Sequence, residues 1–193
     1  MDKNPKKERF IITATELLSE KGYKAMTMRE LAHRLDCDKS NIYNYISSKQ
    51  NLLDKLLFEI ADKFHIGISD IESSSYSALD KLKAIIRLHV KMTFENPYKM
   101  NIHANEWRFL DEERKTLFLK RRQQYEKKIS AIVSEGINEK VFKSGKPNFI
   151  RNCILSSLRW LYTWKIDEKK NINPIEVEKN ITEFILSGLL QNS

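Results

Sequence analysis

The chain has few of the residues that interrupt regular structure: five glycines and four prolines in 193 residues. Its spacing signals are helical throughout, with no useful strand alternation and no internal repeat. There are only two cysteines, Cys37 and Cys153. They form no C-x-x-C pair, so free thiols are expected rather than a disulfide or a metal site. No run reaches the ~20 apolar residues that a membrane span needs. The N-terminus, MDKNPKKERF, lacks the apolar centre of a signal peptide. A cytoplasmic protein with no membrane partner is therefore expected. Catalytic signatures are missing too: there is no Gly-rich phosphate loop, no G-x-S-x-G and no H-E-x-x-H. His33, His65, His89 and His103 fall on four different expected helices. His89 and His103 with Glu106 could meet around a metal, but ordinary hydrogen-bonded histidines are the simpler expectation. No catalytic residue, metal or cofactor is assigned, and the chain is not expected to be an enzyme.

Basic charge is what the chain does have, with 34 Lys and Arg against 26 Asp and Glu, a net +8. The 41% hydrophobic content is that of an ordinary globular protein. The first 50 residues hold ten basic and seven acidic side chains, only +3 of the total. Charge alone is thus weak evidence for a nucleic-acid partner. The other +5 lies further on and suits plain solvation or an anionic ligand.

The informative stretch is Thr27 to Leu53. Thr27 with Glu30 reads as a capping box, and Met28, Leu31, Ala32 and Leu35 follow at helical spacing. The pattern breaks at Asp36-Cys37-Asp38. Asp38 is placed to cap a second helix from Lys39 to about Tyr45. Ile42 and Ile46 face inward on that helix, leaving Lys39, Ser40, Asn41, Tyr43, Asn44 and Tyr45 on or beside its outer face. Ser47 with Gln50 reads as a further capping box, opening a long helix at Ser48 or Lys49. Two short helices around a tight turn make a helix-turn-helix, whose second helix fits a DNA major groove. Helical hairpins without a DNA role share this pattern. The outer face of the second helix favours DNA, because amides, hydroxyls and an ammonium read base edges and phosphates. Thr27, at the start of the first short helix, and Lys49 complete the expected DNA-contacting set.

These residues resemble the N-terminal domain of TetR-type transcriptional regulators. The resemblance covers residues 9–53 and rests on Lys21-Gly22-Tyr23 after an amphipathic helix, Thr27 to Ala32, Ile42-Tyr43, and Ser48-Lys49 with Leu52-Leu53. Three positions depart from the pattern: Asp36 in place of Gly, Tyr45 in place of His, and Ile46 in place of Phe. Asp36 is expected to need a left-handed backbone, which Asp tolerates better than most residues. The resemblance implies an all-α fold: a three-helix helix-turn-helix domain over residues 1–50, then a helical ligand-binding and dimerisation domain over 51–193.

Along the rest of the chain, Met1 to Lys7 reads as a polar arm carrying Lys3, Lys6 and Lys7. Residues 5–21 form the first helix, stopped by Gly22. Residues 49–73 form a long helix striped by Leu52, Leu53, Leu56, Leu57, Ile60, Phe64 and Ile68. Residues 72–77 are the expected linker. Later helices are expected at 77–95, 97–109, 111–138, 148–165 and 174–190. Asn96-Pro97 and Asn173-Pro174 each read as an N-cap followed by a helix-opening proline. The last two helices are too apolar for one small domain to bury, so a homodimer through Phe149, Ile181, Phe184 and Ile185 is expected.

Met92, Trp107, Tyr125, Leu158, Tyr162 and Trp164 are candidates to line an apolar small-molecule pocket. A second resemblance bears on the ligand. His103 to Leu110, Glu112 to Arg114, Arg121 to Tyr125, Glu135-Gly136 and Leu158 to Trp164 are similar to a TetR C-terminal subgroup. That subgroup responds to acyl-CoA thioesters of fatty-acid, steroid and aromatic-acid breakdown. Read this way, Arg121 and Arg122 are the candidate phosphate-binding cations; a solvated helix face is the plainer reading of the same residues. The function implied is a repressor that binds a palindromic operator and is released by an acyl-CoA. Two alternatives stand beside it: a regulator of drug efflux sensing a hydrophobic compound, and a helical-bundle enzyme acting on CoA esters.

Overall fold

A computed structural model describes residues 5–167 and 172–191. Lys3 of the expected basic arm lies outside them. The chain runs through α1 (Pro5–Ala25), α2 (Met28–Leu35), α3 (Lys39–Ile42), α4 (Lys49–Ser73), α5 (Ala78–Glu95), α6 (Pro97–Asn105), a 3-10 turn (Trp107–Phe109), α7 (Glu112–Asn138), α8 (Pro147–Arg159), α9 (Leu161–Asp167) and α10 (Pro174–Leu189). The backbone gathers into two compact units. The first comprises Met1–Ile60 and Tyr98–Phe118, the second Ala61–Pro97 and Leu119–Ser193. α4 and α7 therefore each supply residues to both units.

In the first unit, Phe10, Ala14, Leu17 and Leu18 of α1 are buried along with Leu31, Ile42, Ile46, Leu52 and Leu53. Gly22 sits at φ 75°, outside the helical region, so α1 breaks there as the sequence implied. Thr27 caps α2 by accepting from the Glu30 amide at 3.1 Å. The other half of the capping box is not formed, because the Glu30 carboxylate pairs with Lys21 at 2.7 Å. Asp36 adopts the expected left-handed conformation (φ 53°, ψ 51°) and ends α2. α3 is a single turn, shorter than expected, and Asp38 makes no side-chain cap. Residues 43–45 continue it through bonds to carbonyls three residues back. Ser48, not Ser47, caps α4: its hydroxyl accepts from the Asn51 amide at 3.0 Å.

The second unit packs the later part of α4 with α5, α8, α9 and α10 and most of α7. All seven expected α4 stripe residues are buried, those from Leu52 to Ile60 in the first unit and Phe64 and Ile68 in the second. Ser77 caps α5 through the Asp80 amide at 3.2 Å. Asn173 caps α10 through the Ile175 amide at 3.0 Å. Asn96 behaves differently from expectation: its amide group donates back to Met92, closing α5 instead of opening α6. The expected 148–165 helix breaks at Trp160 into α8 and α9. Near that break the Ser157 hydroxyl bonds the Cys153 carbonyl at 3.0 Å, a back-bond that bends helices. After α7, residues 141–143 pair with the end of α10: Lys143 N–H donates to Leu189 and Gln191 N–H to Val141. Gly136 makes room for this loop. A Cβ there would stand 2.2 Å from the Phe142 ring.

Candidate functional site

The sharp turn at Asp36 sets α3 so that its apolar side chains point inward and its polar ones outward. Ile42 and Ile46 are 0% and 2% exposed, while Tyr43 is 47% exposed. Lys39, Ser40, Asn41 and Asn44 are exposed with Tyr43, as is Thr27 at the start of α2. Tyr45 is half-buried and stacks on Phe10 with ring centroids 5.0 Å apart. Its ring therefore anchors α3 to α1 as well as flanking the outer face. Lys6 and Arg9 of α1 join Asn41, Asn44 and Tyr45 around a concavity of about 410 Å³. Arg9 was not singled out from the sequence. The signal for it was its exposed place on α1 next to Phe10, which lines the same concavity.

Lys49 does not stand clear of the protein. Its ammonium lies 4.4 Å from the centroid of the Tyr23 ring. Burial lowers its pKa from the ordinary lysine value, while Glu106 pulls the other way. Around it the first unit is tied together by polar contacts. The Tyr23 hydroxyl donates to Gln50 at 2.5 Å, and the Gln50 amide donates to the Phe109 carbonyl at 3.0 Å. The Glu106 carboxylate accepts from the Tyr23 backbone N–H at 2.9 Å, just past the break at Gly22. Burial raises the Tyr23 phenol above its ordinary range, with Asp111 adding to the effect.

The ligand candidates divide between the two units. Trp107 belongs to the first, where it stacks on Phe118. The other seven belong to the second. Met92, Leu158 and Tyr162 are buried, and Tyr125 is half-buried. Trp164 instead lines a groove of about 600 Å³ with Trp160, Val177, Ile181 and Phe184. Arg121 pairs with Asp62, and Arg122 pairs with Glu126 at 3.1 Å.

A polar centre lies in the core of the second unit, and the sequence did not reveal it. His89 is 4% exposed. Its Nδ1 lies 2.7 Å from the Tyr162 hydroxyl and its Nε2 lies 2.7 Å from the Tyr125 hydroxyl. Phe64 packs on the imidazole with centroids 4.8 Å apart. Burial pushes both phenols well above their ordinary range. Tyr162 raises Tyr125 further, while Arg159 and Arg122 partly offset the rise at Tyr162. Among the described residues, no three His, Cys, Asp or Glu side chains gather to hold a metal. Nor is any helix among them long and apolar enough to cross a membrane.

Two family descriptions match this chain. Residues 11–56 match "Bacterial regulatory proteins, tetR family". Residues 75–189, more than half of the chain, match "Tetracyclin repressor-like, C-terminal domain". The chain belongs to the TetR family. It is a DNA-binding transcriptional regulator, and its relatives are regulators rather than enzymes. One relative is the HTH-type transcriptional repressor KstR2 of Mycobacterium tuberculosis, 22% identical over 81% of this chain and 82% of that protein. The solved structure of KstR2 superposes with a TM-score of 0.91 at 19% identity, covering 99% of this chain and 98% of that one. Another is the Fatty acid metabolism regulator protein of Bacillus subtilis, 22% identical over 97% of each chain. AibR, solved in complex with isovaleryl coenzyme A and operator DNA, superposes with a TM-score of 0.79 at 17% identity, covering 93% of this chain and 97% of that one. The structural likenesses fall below 25% identity and speak to the TetR fold alone.

Proposed function

We propose that this TetR-family regulator is a dimeric repressor that leaves its operator when an acyl-CoA binds. The observation that carries the effector reading is the matched C-terminal region, together with the AibR complex, which holds both isovaleryl coenzyme A and operator DNA. The second unit supports it with a buried apolar interior that contains a hydrogen-bonding centre, as small-molecule sites usually do. Lys39, Ser40, Asn41, Tyr43 and Asn44 carry DNA reading, with Tyr45 placing α3, and Thr27 and Lys49 flank them. The ion pairs of Arg121 and Arg122 refine the phosphate role. The effector's phosphates have to compete with Asp62 and Glu126 for those guanidinium groups. α4 supplies the DNA-reading unit at one end and the second unit at the other, so its displacement is the proposed route from effector to operator. The protein is read as cytoplasmic, where both DNA and acyl-CoA are found, with no cofactor assigned.

Two measurements test this reading. Tyr43→Ala is expected to weaken specific operator binding by roughly 1–3 kcal/mol, the cost of a lost base or positioning contact. Gel-shift titration that finds unchanged affinity removes the α3 assignment. Calorimetry with palmitoyl-CoA, phenylacetyl-CoA, free palmitate and free CoA is expected to show one site per subunit and a preference for a CoA ester, with the DNA complex released. Binding of every ester no tighter than millimolar defeats the acyl-CoA reading and leaves a repressor of another effector, while an intact DNA complex on binding defeats the release step.

A further inference from the structure

The concavity of about 410 Å³ in the first unit has walls of different chemistry. Lys6 and Arg9 come from α1, three residues apart and so on one side of that helix. Asn41, Asn44 and Tyr45 come from α3 and its continuation. The stack of Phe10 on Tyr45, also part of the lining, holds the two helices at this spacing. Asp36, in the turn before α3, is the one carboxylate of the lining among the described residues, against two cations.

The polar groups of this concavity point into open space. Arg9 is exposed, and among the described residues its guanidinium has no hydrogen bond and no ion pair. The side-chain amides of Asn41 and Asn44 also make no hydrogen bond there. Several other basic side chains of the unit are engaged within the protein. Lys21 pairs with Glu30 and Arg34 with Glu20, both at 2.7 Å. Lys49, expected from the sequence to meet DNA, lies over the Tyr23 ring. A guanidinium left without a carboxylate, facing amide donors on the reading helix, is suited to an anion that arrives with the DNA.

We infer that this concavity takes a phosphate of the DNA backbone, with Arg9 donating to it from α1 and Asn41 and Asn44 donating from α3; this rests on α3 as the DNA-reading helix. The planar guanidinium meets two phosphate oxygens at once. A backbone contact of this kind fixes how α3 lies along the groove and carries no sequence information itself. Asn41 and Asn44 then serve position, and Lys39, Ser40 and Tyr43 distinguish the base pairs. Asp36 repels the same phosphate, so the two cations of the lining are needed to hold it.

The test uses the full-length protein, a duplex that it selects from a random pool, and a shuffled duplex of the same composition. Because Arg9 is exposed, Arg9→Gln is expected to keep the fold, which circular dichroism checks. It is expected to bind both duplexes about tenfold more weakly for each bound subunit, the size of one hydrogen bond to a charged group. The slope of log K against log salt is expected to fall by roughly 1 for each phosphate released. Arg9→Lys keeps the charge without the fork, so it is expected to keep the slope and lose only part of the affinity. Methylphosphonates placed singly along each strand of the selected duplex then locate the phosphate. At one position the wild type is expected to lose about tenfold and Arg9→Gln nothing, because the partner of that phosphate is already gone. Tyr43→Ala is expected to be as sensitive there as the wild type. Unchanged affinity and slope in Arg9→Gln overturn the inference, and the α3 reading stands if Tyr43→Ala still weakens binding. Equal sensitivity of wild type and Arg9→Gln at every methylphosphonate overturns it as well. A loss confined to the selected duplex makes Arg9 a base-reading residue and ends the phosphate role. If neither Arg9→Gln nor Tyr43→Ala weakens binding, the α3 reading beneath the inference falls with it.

Discussion

At the scale of single residues, the two phenols bonded to His89 make a prediction about alkali. Both have folded-state pKa values above the ordinary value near 10, chiefly because burial disfavours the phenolate. Below about pH 10 neither the folded nor the unfolded chain loses these protons, and stability is indifferent to them. Above that pH the unfolded chain releases them and the folded chain does not. Stability then falls as pH rises, by roughly 1.4 kcal/mol per unit for each fully differential group. Replacing Tyr125 and Tyr162 by Phe is expected to flatten the alkaline limb of a denaturant-melt series between pH 9 and 12, whatever it does to stability at neutral pH. An unchanged slope contradicts the burial of these hydroxyls. Sequence reading picked out both tyrosines as ligand candidates but not the histidine between them. The reason is physical: the partners of His89 lie 36 and 73 residues away, and no local spacing records such a meeting. The left-handed Asp36 was legible because a turn of that kind is a local event, whereas moving a cap from Ser47 to Ser48 is a one-residue choice between equivalent hydroxyls.

At the scale of elements, helical periodicity recovered most of the fold, and α4 shows why. Leucine, isoleucine and phenylalanine recur on one face for 25 residues, and burial of that face followed. The pattern did not carry the breaks within expected helices. The expected 97–109 helix divides into α6 and a 3-10 turn, and there Glu106 and the Phe109 carbonyl are drawn into contacts with Tyr23 and Gln50. The pairing of residues 141–143 with the end of α10 also left no trace, since a two-residue match has no period. Its foothold is Gly136, over which the Phe142 ring lies closer than any Cβ allows. Gly136→Ala is expected to destabilise the protein by roughly 1–3 kcal/mol, the cost of overpacking, despite the better helix propensity of alanine. Pairing it with Phe142→Ala makes room for the added methyl, so the two changes are expected to be less than additive. Urea unfolding of the single and double variants measures this, and full additivity counts against the contact.

At the scale of the molecule, assembly turns on which apolar side chains the folded subunit has already used. Ile181 and Ile185, both expected at the interface from their place on the last helix, are 6% and 8% exposed within the subunit itself. Phe149, Ile175 and Phe184 are 68%, 75% and 70% exposed, and Trp160 is 49% exposed. Large apolar groups gathered like this on α8 and α10 and at the break between α8 and α9 mark an interaction surface, and the groove of about 600 Å³ runs through it. We propose that a second copy covers this face, as a reader of palindromic half-sites requires. The two kinds of position then fail in different ways. Phe184→Glu leaves the folded subunit its water-exposed charge and asks only the dimer to bury it, which costs several kcal/mol. It is expected to give a folded monomer, helical by circular dichroism, that grips one half-site and so binds the operator weakly. Ile181→Glu buries its charge inside the subunit and is expected to lose the fold. Sedimentation of Phe184→Glu as an intact dimer with full operator affinity would place the interface on some other surface. If both variants unfold alike, the exposed face contributes to the subunit core instead, and Phe184 has no special part in assembly.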